Sequence, residues 1–386
     1  MMHRIRRSGS ARRGPVVWPL IGALALSACA TPEPEAGAAV TAAVAAEPVA
    51  FDADGQPGVI DSEEAVLDAE LLVLTLEQLL GDHVLQVAGA AVAHAEGEDT
   101  DTALALLEDN TQALTGAIGL VYGDLGADAF ASLWSQHIAF LLDHALGRAR
   151  ADAGIMAQAD EHLGHYEAGF GSFASTATDG ALPADVVADL LAVHVADINE
   201  HVADVLDADV EQAARGLIAG HDYAADIGAA IGTAIAGQGP QAFPGAYDDD
   251  RKQRVRELAR ALAAHVVIRA TPGIGDTTDT AATTATPAIV GEVGDRVEAA
   301  LTAVADDPDA ALRGWRALSD AADLPGGDRP AALSAAATTL ATELGVPAAT
   351  LELVAIVDGP RATRVGDDLT AAQAAAYALA MAWLTA

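Results

Sequence analysis

Apolar residues recur at steps of three and four from Ser62 to about Ala236, interrupted by Gly- or Asp-rich breaks at 95–101, 123–128, 147–154, 176–184 and 206–209. That period belongs to amphipathic helices, and the breaks divide the segment into six of them. The chain holds only 6 Phe, 4 Trp and 5 Tyr in 386 residues, so its core must be built from Ala, Leu, Val and Ile. Such a core favours closely packed helices. The expected fold is all-α: tandem antiparallel hairpins forming an up-and-down bundle over residues 61–245, followed by an Ala-rich helical region over 246–386.

Within the helices a short pattern repeats. Leu80-Gly-Asp-His83-Val84, Trp134-Ser-Gln-His137-Ile138 and Leu191-Ala-Val-His194-Val195 share [Leu/Trp]-x-x-His-[Val/Ile] at spacings of 54 and 57 residues, one helical hairpin each. Leu262-Ala-Ala-His265-Val266 is a fourth copy, 71 residues further on. His83 to Asn110 and His194 to His221 are both 27 residues, so each motif helix is expected to face an Asn or His on its return helix. The Asn110 helix, the Tyr122-Gly123 turn and Leu133-Trp134-Ser-Gln-His137-Ile138 resemble secreted proteins of actinobacteria over roughly residues 70–245. The resemblance implies export and brings no activity with it.

The histidines are the main candidates for chemistry. Leu191, His194, Ile198, His201 and Val205 form one stripe, as do Trp134, His137, Leu141 and His144, so these imidazoles face inward. His94, eleven residues after His83, stays near the same stripe. Two histidines seven apart lie about 10.5 Å apart along a helix, so any one site must recruit from several helices. If the helices alternate up and down, His83, His137 and His194 form one layer. His94, His144 and His201 form a second, with His162, His165 and His221 on the return helices. Imidazole suits Zn, Cu, Fe or Ni, so a transition metal or haem is one reading, and His162-x-x-His165 is the best local ligand pair. The chain lacks Glu-x-x-His and His-Glu-x-x-His. The other reading is structural: each buried histidine bonds a carbonyl, acid or tyrosine on a facing helix and fixes the register.

The N-terminus carries an address. Arg4, Arg6, Arg7, Arg12 and Arg13, with no acid among them, precede an apolar run from Val16 to Leu26, the layout of a signal peptide. The run closes on Leu26-Ser27-Ala28-Cys29, which resembles the lipobox of bacterial lipoproteins. That resemblance implies cleavage after residue 28, lipidation of Cys29, and attachment to the outer face of the cytoplasmic membrane, or to an outer membrane if the cell has one. Residues 29–60 are Ala, Pro and acid with no helical period and read as a tether. A net charge of −36 repels phosphate backbones, so nucleic acid is not an expected partner. The expected partners are the membrane, through the anchor, and a protein or cation ligand.

At the tether, Asp52-Ala-Asp54-Gly-Gln56-Pro-Gly58-Val-Ile60-Asp61-Ser-Glu63-Glu64 resembles an EF-hand loop. That likeness implies Ca2+ on Asp52, Asp54, Gln56, Asp61 and Glu64, although Pro57 is inserted and Gln56 stands where an acid is usual. The other reading is a turn and a helix capped by Asp61 or Ser62.

Towards the C-terminus, residues 251–269 hold Arg251, Lys252, Arg254, Arg256, Arg260 and Arg269, expected to dock this helix onto the acidic bundle. A Thr-rich loop over 271–286 and three or four Ala-rich helices follow. Nucleophile-elbow and phosphate-loop motifs are missing, and the single cysteine rules out a disulfide scaffold. The expected function is a lipid-anchored, extracytoplasmic binding or scaffold protein without catalysis, whose bundle binds either a ligand, with a metal on the buried histidines as one option, or a protein partner. The alternative is a His-ligated metalloenzyme or redox protein at the cell surface.

Overall fold

The computed structural model describes residues 68–239, 243, 250–270, 286–322, 324, 328–346, 353, 356, 357 and 372–379. Among the described residues there are helices and no strands, and the fold is all-α. The bundle comprises α1 (Ala69–Glu96), α2 (Asp101–Arg150), α3 (Ala153–Ala177), α4 (Ala184–Leu206) and α5 (Val210–Gln238). It is followed by α6 (Asp250–Ala270), α7 (Thr286–Val304), α8 (Pro308–Ala322) and α9 (Arg329–Leu344), and residues 372–379 are helical as well.

Local chemistry sets the helix ends. Asp68 Oδ1 accepts from the backbone N–H of Glu70 at 2.9 Å and of Leu71 at 3.3 Å, and Gly97 closes α1 at φ 75°. Asp152 and Asp209 cap α3 and α5 in the same manner. The cap expected at Asp61 or Ser62 lies outside the described residues, as do Cys29, the EF-hand-like loop and the Thr-rich stretch up to 285.

The break expected at 123–128 is a reversal inside α2. Gly123 has φ 68° and ψ −173°, outside helical space and accessible to glycine. A Cβ on Gly119 would lie 3.3 Å from that of Ala127, whereas a straight helix separates residues eight apart by about 12 Å. The chain therefore folds back at Gly123, and the two halves of α2 complete a set of six antiparallel segments.

The three motif segments run parallel and in register. Ala91, Ala145 and Val202 pack together, and each lies eight residues after its motif histidine. On the other side, Leu76, Phe130 and Val187, each seven residues before, share the main bundle core. The bundle closes where α5 meets α1: a Cβ on Gly228 would come within 2.5 Å of the Leu76 carbonyl oxygen, and one on Gly232 within 2.9 Å of Val73 Cα. Only glycine allows this backbone approach. By length and composition α1 is apolar enough to cross a membrane, but it is largely buried and packs against α2, α4 and α5.

Helix α6 docks on the bundle through charge. Arg256 reaches Glu70 at 2.8 Å and Glu77 at 3.1 Å, and Arg260 reaches Glu77 at 3.3 Å and Asp226 at 2.6 Å. The opposite side of α6 belongs to a second apolar core with Leu258, Leu262, Val297, Trp315, Leu340 and Tyr377. Paired in this way, Glu70 and Glu77 can be buried on the largely apolar α1.

Candidate metal centre

The parallel register brings one imidazole from each motif segment to one level. His83 on α1, His137 on the second half of α2 and His194 on α4 are buried, and one ring nitrogen from each lies within 4.8 Å of the others. His83 Nε2 and His137 Nε2 are 3.1 Å apart. The Nδ1–H of His137 donates to the Trp134 carbonyl one turn earlier, which assigns the proton to Nδ1 and leaves the Nε2 lone pair pointing at His83. No carboxylate or thiolate joins this group among the described residues.

Aromatic rings hold the layer. Tyr166 of α3 stacks on His137 with centroids 4.5 Å apart and planes 12° from parallel. Trp134 lies 4.6 Å from both His83 and His137. In these surroundings burial pushes the imidazoles towards the neutral form: His137 down to about 3, with His194 adding to the effect, and His194 down to about 4. Burial, reinforced by the two neighbouring rings, holds His83 well below the usual histidine range. All three therefore offer lone pairs at neutral pH. A tetrahedral ion with bonds of about 2.0–2.1 Å spaces its nitrogens roughly 3.3 Å apart. The His83–His137 pair is already close to that spacing at 3.1 Å, and a nitrogen of His194 lies within 4.8 Å of both.

One turn before each histidine the motif places Leu80, Trp134 and Leu191, and these three line a cavity of about 50 Å³ with His83 and His194 in its wall. The rest of the lining is almost wholly apolar. The two hydroxyl residues in the wall are engaged elsewhere: Tyr122 donates to Gln238 Oε1 at 2.9 Å, and Thr178 donates to the Ala174 carbonyl at 2.8 Å. The buried indole N–H of Trp134 has no hydrogen-bond partner among the described residues.

The remaining sequence candidates lie apart from this group. In the second layer His144 Nε2 faces Asp160 at 3.4 Å, His201 Nδ1 donates to the Ala213 carbonyl at 2.9 Å, and His94 is half-buried. On α3, His162 stacks on Phe140 at 4.8 Å while His165 is exposed. Asn110 donates to the Leu79 carbonyl at 2.9 Å, so it does face its motif helix. His221 is directed at α1, where a Cβ on Gly81 would meet its Nε2 at 2.6 Å; the equal spacing had pointed to α4.

Sequence reasoning missed Tyr166 and Asp82. Tyr166 was legible as part of the stripe Leu163, Tyr166, Phe170 and Phe173, all buried. Asp82 is buried beside His83 in sequence, with only Gln78 Nε2 among the described residues donating to it, at 3.4 Å, and burial pushes its carboxyl up to about 7.

Comparison of the chain with protein-family models, curated proteins and solved structures finds no match in any of the three.

Proposed function

We propose that this chain is an exported, lipid-anchored helical protein that binds one transition-metal ion through His83, His137 and His194. The observation that carries the reading is the convergence of three buried, neutral imidazoles from three parallel helices in an apolar interior. Apolar side chains of similar volume would pack there at no desolvation cost, so three gathered imidazoles call for a reason beyond stability. An ion supplies one, because it engages a nitrogen of each ring at once. The His137 Nδ1 bond to the Trp134 carbonyl is the arrangement that orients a ligating imidazole.

A second reading rests on the same bond and on the 3.1 Å His83–His137 contact: a hydrogen-bonded pair that fixes helix register without metal. It accounts for two of the rings. Among the described residues His194 Nδ1 keeps no hydrogen-bond partner in it.

Elemental analysis of tag-free, full-length protein decides between them. The metal reading expects one equivalent of a first-row metal, lost in His137→Ala and in His194→Ala. No metal in the parent, with only a lower melting temperature in the variants, supports structural histidines. The anchor is tested separately by Cys29→Ala, which is expected to release the protein from membranes.

A further inference from the structure

The cavity beside the triad has a chemistry of its own, set by what its wall withholds. No polar atom is exposed in that wall. His83 and His194 therefore meet it through ring carbons, and the Tyr122 and Thr178 hydroxyls are turned to Gln238 and to the Ala174 carbonyl. At about 50 Å³ the space exceeds the roughly 10–15 Å³ that one water requires, yet a water also needs polar partners and finds none there. An apolar space of this kind stays dry. Ions and hydrogen-bonding molecules are excluded for the same reason, because they would lose their hydration with nothing to replace it.

Size and shape narrow the occupant further. A cavity of roughly 150 Å³ admits benzene and its six carbons, so about a third of that volume suits two or three. The wall is long for so small a volume: on α5 it takes in Ala224, Ile227, Ile231 and Ile235, which extend over roughly 16 Å of helix. A slender occupant fits better than a ring. At the end of the bundle two hydrogen bonds strap three segments together. Tyr122, in the first half of α2, donates to Gln238 Oε1 at the end of α5 at 2.9 Å, and Gln238 Nε2 donates to the carbonyl of Ala177 at the end of α3 at 2.9 Å. Tyr122 and Ala177 belong to the wall and Gln238 is exposed, so releasing this strap gives a short route from solvent. Leu120 and Leu125, the most exposed large apolar side chains among the described residues, flank the Gly123 reversal beside Tyr122 and offer an apolar molecule a first contact. We propose that the cavity binds a light hydrocarbon of about two or three carbons, admitted where Gln238 straps Tyr122 to Ala177. The site needs no ion and is independent of the metal reading above.

The test titrates full-length protein with xenon, an apolar probe of similar size, and follows the xenon chemical shift by nuclear magnetic resonance. Ethane and benzene are then added in turn. The expected result is one saturable site per chain, from which ethane displaces xenon and benzene does not. Ala174→Leu and Ala224→Val, checked for native helical circular dichroism, fill the space from α3 and from α5. Each is expected to weaken xenon binding about tenfold or more. Gln238→Ala changes an exposed side chain and is expected to leave the affinity unaltered while speeding xenon exchange about threefold or more, read as a broadened line. No saturable site, or one untouched by both filling variants, overturns the binding site and leaves a packing void. Binding of benzene, or failure of ethane to compete, overturns the ligand class. An unchanged exchange rate in Gln238→Ala overturns the entrance.

Discussion

His194 on α4 and His265 on α6 hold the same place in the same five-residue pattern, and both are buried, yet their surroundings share almost nothing. Around His194 the neighbours are two further imidazoles and an apolar cavity. Around His265 they are the edge of Trp315, at 5.3 Å, and the Ala- and Leu-rich core of the C-terminal helices. The pattern itself secures an inward-facing imidazole and nothing more. A cluster of imidazoles arises where three copies run parallel in one register, and the fourth copy belongs to a helix whose acidic partners have drawn it against α1 by arginine pairs.

The largest expected effect separates those two settings directly. His137→Ala is expected to lower metal affinity on the order of 100-fold or more, whereas His265→Ala leaves metal content unchanged. Equilibrium dialysis with elemental analysis measures both, and metal lost from a folded His265→Ala protein breaks the comparison.

Next in size is the dependence of metal-free stability on pH. The unfolded chain takes protons on these histidines from about 6.5 downwards, while the folded triad refuses them until about 3 for His137 and about 4 for His194. Unfolding therefore takes up protons, and stability is lost as pH falls from 6.5 towards 4. Each histidine contributes up to about 1.4 kcal/mol per pH unit. Asp82 works in the opposite sense, since its carboxyl titrates at about 7 in the fold against 3.8 unfolded, and its contribution is lost as pH rises through 7. Asp82→Asn should accordingly raise stability at pH 8, on the order of 2–4 kcal/mol, and steepen the loss on acidification. Urea titrations at pH 8, 6.5 and 5 read both effects, and an Asp82→Asn protein no more stable than its parent at pH 8 refutes the assignment.

A smaller effect comes from the seam that sets the register. Gly228→Ala drives a methyl against the Leu76 carbonyl and should destabilise by about 1–3 kcal/mol. Gly237→Ala, on the same helix but with nothing within 4 Å, should be neutral or gain up to about 1 kcal/mol. Equal melting temperatures for the two variants contradict the close approach of α5 to α1.

Much of this arrangement was legible in the chain. Breaks at Gly- and Asp-rich segments fall at the observed helix ends, and equal hairpin lengths imply parallel motif helices, so His83, His137 and His194 could be placed in one layer. Position along a helix says which face a residue occupies, but not which of two neighbouring helices that face meets. His221 shows this limit: it lies over Gly81 of α1 because α5 closes the bundle through Gly228 and Gly232. The second histidine layer dissolves for a related reason. His144 and His201 find Asp160 and the Ala213 carbonyl within reach on adjacent helices, and such partners depend on side-chain direction that spacing does not encode. The cavity was illegible because it lies between side chains from several helices, although the Leu80, Trp134 and Leu191 that bound it were part of the repeated pattern.

X-ray absorption spectroscopy of the metal-loaded, full-length protein tests the central claim most directly, because it counts the donors on the ion. Three imidazole nitrogens at about 2.0 Å, reduced in number by His83→Ala, are the predicted shell. A shell of oxygen donors, or one unaltered when His83 is replaced, would contradict a metal centre built from the three motif helices.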